Sequence, residues 1–218
     1  MISPDSYHTL TRPTRAPAPC RSAWHVRLAA AVAALLITGA HGHADTRPID
    51  AQRSTLTVHV YKSGLFSAFA DNHVIKAPIA SGSMSEEPPL RVELTVRAAD
   101  LTVSDPDLSA ERRAEVQTRM LGAEVLDTAR FSDITFASTA IEPAGAEQWK
   151  VTGRLTLHGQ SRVITFAVVR QEGRYRGDCE IKQRDFGIQP ISIAGGTVKV
   201  KDEVKIHFDL AGVGTRTP

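Results

Sequence analysis

Cysteine is nearly absent from this chain: Cys20 and Cys179 are the only two. A pair so far apart, with the first in an N-terminal stretch that reads as a leader, builds no disulfide framework. Aromatic residues make up only 6% of the chain, too few for the two interfacial girdles of an outer-membrane barrel. After residue 44 no run of Lys and Arg occurs, so the electrostatic footprint for nucleic acid is missing. The histidines beyond that point, His59, His73, His158 and His207, form no His-x-x-x-His spacing, and no cysteine pair accompanies them. This speaks against a metal centre and against any metal cofactor. There is no G-x-S-x-G, no P-loop and no dinucleotide fingerprint, so the common hydrolase, nucleotide and redox-cofactor signatures are excluded. No catalytic residue stands out, and the chain is not expected to be an enzyme.

What is present begins with an export signal. Residues 28–40 are an apolar run without a charge, preceded by Arg15, Arg21 and Arg27 and followed by the small residues Gly42 and Ala44. This order is that of a secretory signal peptide, with cleavage expected after Ala44 and a single domain over 45–218. A membrane anchor is the alternative, but the run is shorter than the roughly 18 residues a spanning helix needs. The leader has no Arg-Arg pair, which favours the general secretion route, and no cysteine at its exit for lipoprotein processing. Its four arginines and one aspartate leave with it, turning the net charge from +2 to −1. Cys179 then stands alone between Asp178 and Glu180, where a thiolate is disfavoured and an inert thiol expected.

The rest of the chain alternates. Leu56, Val58 and Val60 share one parity, as do Val92, Leu94 and Val96, and Val151, Leu155 and Leu157. Ile164, Phe166 and Val168 continue the pattern, and Val204, Ile206, Phe208 and Leu210 complete it. A period of two places each set on one face of a strand. Eight strands are predicted, near 54–62, 73–83, 89–102, 133–142, 148–158, 161–171, 174–186 and 197–211. His158-Gly159 and Glu172-Gly173 read as tight hairpin turns, because Gly supplies the positive φ such turns need. Breaks are expected at Pro88-Pro89 and from Pro143 to Ala146. Residues 106–121 read as a helix, with Ser104 and Asp107 as a capping box, Pro106 in the first turn and Gly122 as the stop. That helix either packs on the barrel or serves as a lid at one end. The pattern is all-β: an up-and-down antiparallel barrel or a sandwich with one helical excursion.

Several segments resemble the YceI-like family, also called polyisoprenoid-binding or lipid-binding-like proteins. Ile49-Asp50 with Ser54 is similar to the family's opening, and Val125-Leu126-Asp127-Thr128-Ala129-Arg130-Phe131 leading to Phe136-Ala137-Ser138 to its central motif. Val151-Thr152-Gly153-Arg154-Leu155-Thr156-Leu157-His158-Gly159 resembles its hairpin arm, and Arg184-Asp185-Phe186-Gly187-Ile188 its late motif. Ser132 departs from the family's frequent proline. The resemblance covers essentially all of 48–212. It implies a lipocalin-like eight-stranded antiparallel barrel in the periplasm, with an elongated apolar pocket for an isoprenoid chain and no established catalytic residues.

On that reading the candidate ligand-binding residues are mostly aromatic. Phe66 and Phe69 follow the first strand, Met120 ends the helix, and Phe131 and Phe136 flank the start of the fourth strand. Phe166, Phe186, Ile188 and Phe208 complete the apolar set. Two polar residues join them: His73, as a head-group contact or base, and Arg184, as a donor to a quinone oxygen or phosphate. For each, a purely structural reading competes: core packing for the apolar residues, a strand-end cluster for His73, a local ion pair for Arg184. Periodicity does not distinguish a hollow barrel from a solid one. The expected function is therefore binding or carriage of an isoprenoid quinone or polyprenyl lipid. The alternatives are a solid-barrel interaction or stress-protective protein and, less favoured, an enzyme acting on an apolar substrate in the same barrel. A homodimer is left open.

Overall fold

The structure, a computed structural model of the chain, describes residues 46–63, 72–193 and 198–213. The expected leader, with its cleavage point at Ala44, and the segment holding Phe66 and Phe69 lie outside these residues. Among the described residues twelve strands, where eight were expected, form one antiparallel sheet. They are β1 (Thr46–Pro48), β2 (Thr55–Ser63), β3 (His73–Lys76), β4 (Ile79–Ser85), β5 (Val92–Arg97) and β6 (Thr102–Val103), then β7 (Asp133–Gly145), β8 (Gln148–Leu157), β9 (Gln160–Gln171), β10 (Arg174–Lys182), β11 (Ser192–Ile193) and β12 (Val198–Ala211). One helix, α1 (Ala110–Leu121), lies between β6 and β7.

Alternation becomes a ring through one break. Hydrogen bonding runs in the order β4-β5-β7-β8-β9-β10-β12-β2-β3. The two ends of that path, β3 and β4, are separated in the chain only by Ala77 and Pro78. The sheet therefore curls round until its ends meet as two pieces of one strand. Pro78 has no N–H to donate, so the ladder cannot pass through it. The backbone bond from Ala77 N to Leu56 O, 2.9 Å, is the last on the β2 side, and β4 pairs with β5 instead. β1 laps β4, and the Ile49–Gly212 bridge ties its end to β12.

The expected strands are present with four differences, and the short strands β1 and β11 were not expected. The second is split at Pro78. The third is shorter than expected: β5 ends at Arg97, a 3-10 turn follows at Ala98–Asp100, and β6 crosses to pair with β3. The fourth runs on to Gly145, past the expected break at Pro143, by way of two bulges. The seventh stops at Lys182, where Gln183–Phe186 coil into a second 3-10 turn. Both predicted hairpins form with two-residue turns. His158 and Gly159 have φ of 50° and 70°, and Glu172 and Gly173 have 53° and 73°, the doubly left-handed geometry that matches strand twist.

The helix starts later than expected. Ser104 and Asp105 are held extended along β3: Ser104 N donates to Val74 O at 2.7 Å, and Asp105 Oδ1 accepts from Val74 N at 2.6 Å. They cannot also open a helix. Ser109 caps it instead, its hydroxyl accepting from Arg112 N at 3.3 Å. The stop at Gly122 stands, in extended rather than left-handed backbone. Gln117 pins the helix to the barrel as if it were a strand residue: its Oε1 accepts from Val103 N at 2.8 Å and its Nε2 donates to Leu101 O at 2.7 Å.

Candidate functional site

The inward faces of the strands enclose a cavity of about 290 Å³. Its wall follows the parity of the sequence: Leu56, Val58 and Val60 from β2, Leu94 and Val96 from β5, and Val151 and Leu155 from β8. Three rings form its waist. Phe166 lies 5.5 Å from Phe136 and 5.5 Å from Phe208, centroid to centroid. Two glycines make room for them. A Cβ on Gly153 would lie 2.3 Å from the Phe136 ring, and one on Gly177 would lie 2.6 Å from that of Phe208. Cys179 also faces the cavity, and burial, with Glu180 nearby, pushes its thiol up to about 11. Water in such a chamber finds few partners, so an apolar occupant is favoured over it.

The two ends differ. At one end α1 brings Met120 against Leu101, Leu126 and Ile188, all buried. At the other, the cavity reaches exposed Glu86 and Arg91, with Leu90, Trp149 and Tyr175 half-buried beside them. Ser85 shapes this mouth. Its Oγ donates to Pro89 O and accepts from Arg91 N, each at 2.8 Å, closing the β4–β5 turn that carries Glu86 and Arg91. Tyr175 donates its hydroxyl to Glu86 Oε1 at 2.5 Å, and Arg47 pairs with the same carboxylate. Burial and the Glu86 carboxylate push the Tyr175 phenol up to about 12, so it stays protonated. The Trp149 and Tyr175 rings lie 5.9 Å apart, tilted by 50°, and the Arg170 guanidinium sits 5.8 Å from the Tyr175 ring.

The YceI-like domain profile matches residues 48–211. The chain belongs to the YceI-like family. Among YceI-like relatives, a UPF0312 protein of Pseudomonas fluorescens is 33% identical over 110 residues, covering 46% of this chain and 54% of that protein. A UPF0312 protein of Vibrio cholerae is 31% identical over 86 residues, covering 35% of this chain and 46% of the other. The matched region thus spans about half the length of these curated relatives. BcnA of Burkholderia cenocepacia shares the fold with a TM-score of 0.59, over 74% of this chain and 98% of that one, at 21% identity. A polyisoprenoid binding domain from Saccharophagus degradans, implicated in plant cell wall breakdown, does so at 0.53, over 75% and 95%, at 18% identity.

Within this YceI-like barrel the residues singled out in the sequence part company. Met120, Phe136, Phe166, Ile188 and Phe208 line the cavity. Phe186, 1% exposed, packs in the adjoining core without reaching the lining. Phe131 lies outside the cavity, 4.5 Å from the His158 ring and beneath the Arg130 guanidinium. His73 holds Asp105 Oδ2 at 2.6 Å, a contact that fastens the 104–105 segment to β3 away from the lining. Arg184 is exposed at the helix end, its N donating to Asp202 Oδ1 at 2.9 Å and its guanidinium turned to the same carboxylate. The polar residues that do meet the cavity, Ser85, Glu86, Arg91, Thr135, Tyr175 and Gln183, were missed. So was Trp149, although it shares the parity of Val151 and Leu155, just as Tyr175 shares that of Cys179 and Ile181.

Proposed function

We propose that this chain binds a long apolar molecule, an isoprenoid quinone or polyprenyl lipid, inside the barrel, and does so in the periplasm after loss of its leader. The observation that carries the reading is the continuous apolar chamber running from the Trp149–Tyr175 mouth to Met120. Each methylene moved from water into such a chamber contributes about 0.8 kcal/mol, so a few isoprene units suffice for tight binding after ordering costs. A solid barrel would offer no such volume. The polyisoprenoid binding domain of Saccharophagus degradans, which has the same fold, supports an isoprenoid as the ligand. The reading asks no residue for chemistry, in keeping with a family whose fold is a binding fold.

Extraction of the protein purified from the cell envelope, followed by mass spectrometry, tests this directly. A stoichiometric isoprenoid is expected. The Val151→Trp variant, which adds a large ring to the chamber from β8, should retain less than a tenth of it while still unfolding cooperatively. Protein that is empty and takes up no polyprenyl lipid from vesicles would overturn the reading.

A further inference from the structure

The histidines show no ligand spacing along the chain, yet the sheet brings two of them together on its outer face. His59 alternates with the inward Val58 and Val60 of β2, and His207 with the inward Ile206 and Phe208 of β12, so both rings stand on the side away from the cavity. We propose that His59 and His207 form a surface site for a late divalent transition-metal ion, copper(II) foremost, with Asp178 orienting His207. The site stands apart from the cavity and does not depend on the binding reading above.

Strand register places these side chains. β2 and β12 are antiparallel, with Val58 opposite Ile206, His59 opposite Lys205 and Thr57 opposite His207. His59 and His207 are therefore diagonal neighbours on one face, within reach of each other's rings. Their centroids lie 4.7 Å apart and the rings are nearly perpendicular, at 89°. Two imidazoles bonded to one ion at about 2.0 Å hold their centroids about 4.5 Å apart when the bonds meet at a right angle, and about 5.2 Å apart at the tetrahedral angle. The observed spacing falls near the right-angled end, which suits tetragonal copper(II) with nitrogen ligands. A third strand, β10, fixes one of the rings. Asp178 stands directly opposite His207, and its Oδ1 accepts from His207 Nδ1. Nδ1 thus carries the proton, and the lone pair of Nε2 is left for a metal. A carboxylate behind a ligating imidazole sets the tautomer and raises the ring's basicity. Asp178 also brings negative charge beside the ion. Lys205, the cation opposite His59, has Glu180 opposite it on its other side. Among the described residues no three His, Cys, Asp or Glu side chains are grouped to hold an ion. The chain therefore supplies two nitrogens and water the remaining positions, which makes an open, exchangeable site. The His207 side chain is 43% exposed, so an ion reaches it from solvent without any movement of the barrel.

For the test, untagged protein from the cell envelope is stripped of metal with a chelator. It is then titrated with copper(II) in a non-coordinating buffer, followed by calorimetry and by electron paramagnetic resonance of the bound ion. One copper(II) per chain is expected, with two imidazole nitrogens in its spectrum. His59→Gln and His207→Gln should each weaken binding at least tenfold and lower the nitrogen count to one, while both variants still unfold cooperatively. Asp178→Asn keeps the shape of the side chain and removes its charge. It should weaken binding about tenfold with both nitrogens retained, a change that a merely structural role for Asp178 would not produce. Polyprenyl lipid uptake should be the same in all three variants as in the unaltered protein. A double variant, His59→Gln with His207→Gln, that holds copper(II) as tightly as the unaltered protein would overturn the site. So would a bound ion whose spectrum shows fewer than two imidazole nitrogens.

Discussion

The two ends of this barrel are built from different materials. At the helix end, Met120, Leu126 and Ile188 are buried, and polar atoms turn to the backbone, as Gln117 does with Leu101 and Val103. At the mouth, Glu86, Arg91 and Tyr175 face the cavity; Glu86 and Arg91 are exposed, and Glu86 is held by Tyr175 and Arg47. The contrast shows how a single chamber can have a stopper and an opening. An end whose polar groups are satisfied internally loses packing and hydrogen bonds together when it moves. An end whose polar groups are already at the solvent boundary loses little when a ligand passes.

That contrast can be broken, most severely at the core beside the helix end. Phe186→Ala should cost about 3–5 kcal/mol, the range for removing a fully buried ring, read as a lower midpoint in urea. Gln117→Ala strands a backbone N–H and a carbonyl, and should cost about 2 kcal/mol. Hydrogen exchange should then quicken in α1 and leave the β8–β9 hairpin unchanged. If the hairpin loosened equally, the two ends would not be independent.

Smaller effects sharpen the picture of the wall between them. The Cys179 thiol, pushed up to about 11, should alkylate with iodoacetamide at pH 8 roughly 100-fold more slowly than a free cysteine, whose thiol ionises near 8.5. Loading the cavity with a polyprenyl lipid should slow it further, since the sulfur faces the ligand. The smallest effect lies on the outer surface. Partial burial, with His207 adjacent and Asp178 partly opposing, holds His59 below its ordinary value of 6.5. The folded protein therefore binds fewer protons there than the unfolded chain does. Stability from this site is present above pH 6.5 and declines as the pH falls through the lowered value. His59→Gln should flatten that slope in melting temperatures taken between pH 7 and pH 5. An unchanged slope would show that the site contributes nothing.

Much of the wall could be read from local pattern. Leu56, Val58 and Val60 announced their shared face by parity alone, and Gly159 and Gly173 announced their turns by the backbone they alone adopt easily. Phe136, Phe166 and Phe208 were legible as inward residues for the same reason. The mouth was not. Trp149 and Tyr175 carried the right parity, but each has a polar atom that fits a surface equally well. Glu86 and Arg91 acquire meaning only because a turn on β4 is brought beside β10, 89 residues on from Glu86. Arg184 illustrates the converse: a head-group donor in the sequence, it found Asp202 on the neighbouring strand first.

Strand period, hairpin positions and the existence of one helix were determined by the sequence by itself, because pleat, turn and helix geometry depend on neighbours a few residues apart. Whether the barrel encloses a chamber, which end the helix stops and which charges stand at the opening were decided only by the tertiary structure. Those properties depend on how rings such as Phe136 and Phe208 meet glycines such as Gly153 and Gly177 across strands, and on where curvature brings distant loops together. No local period encodes either distance.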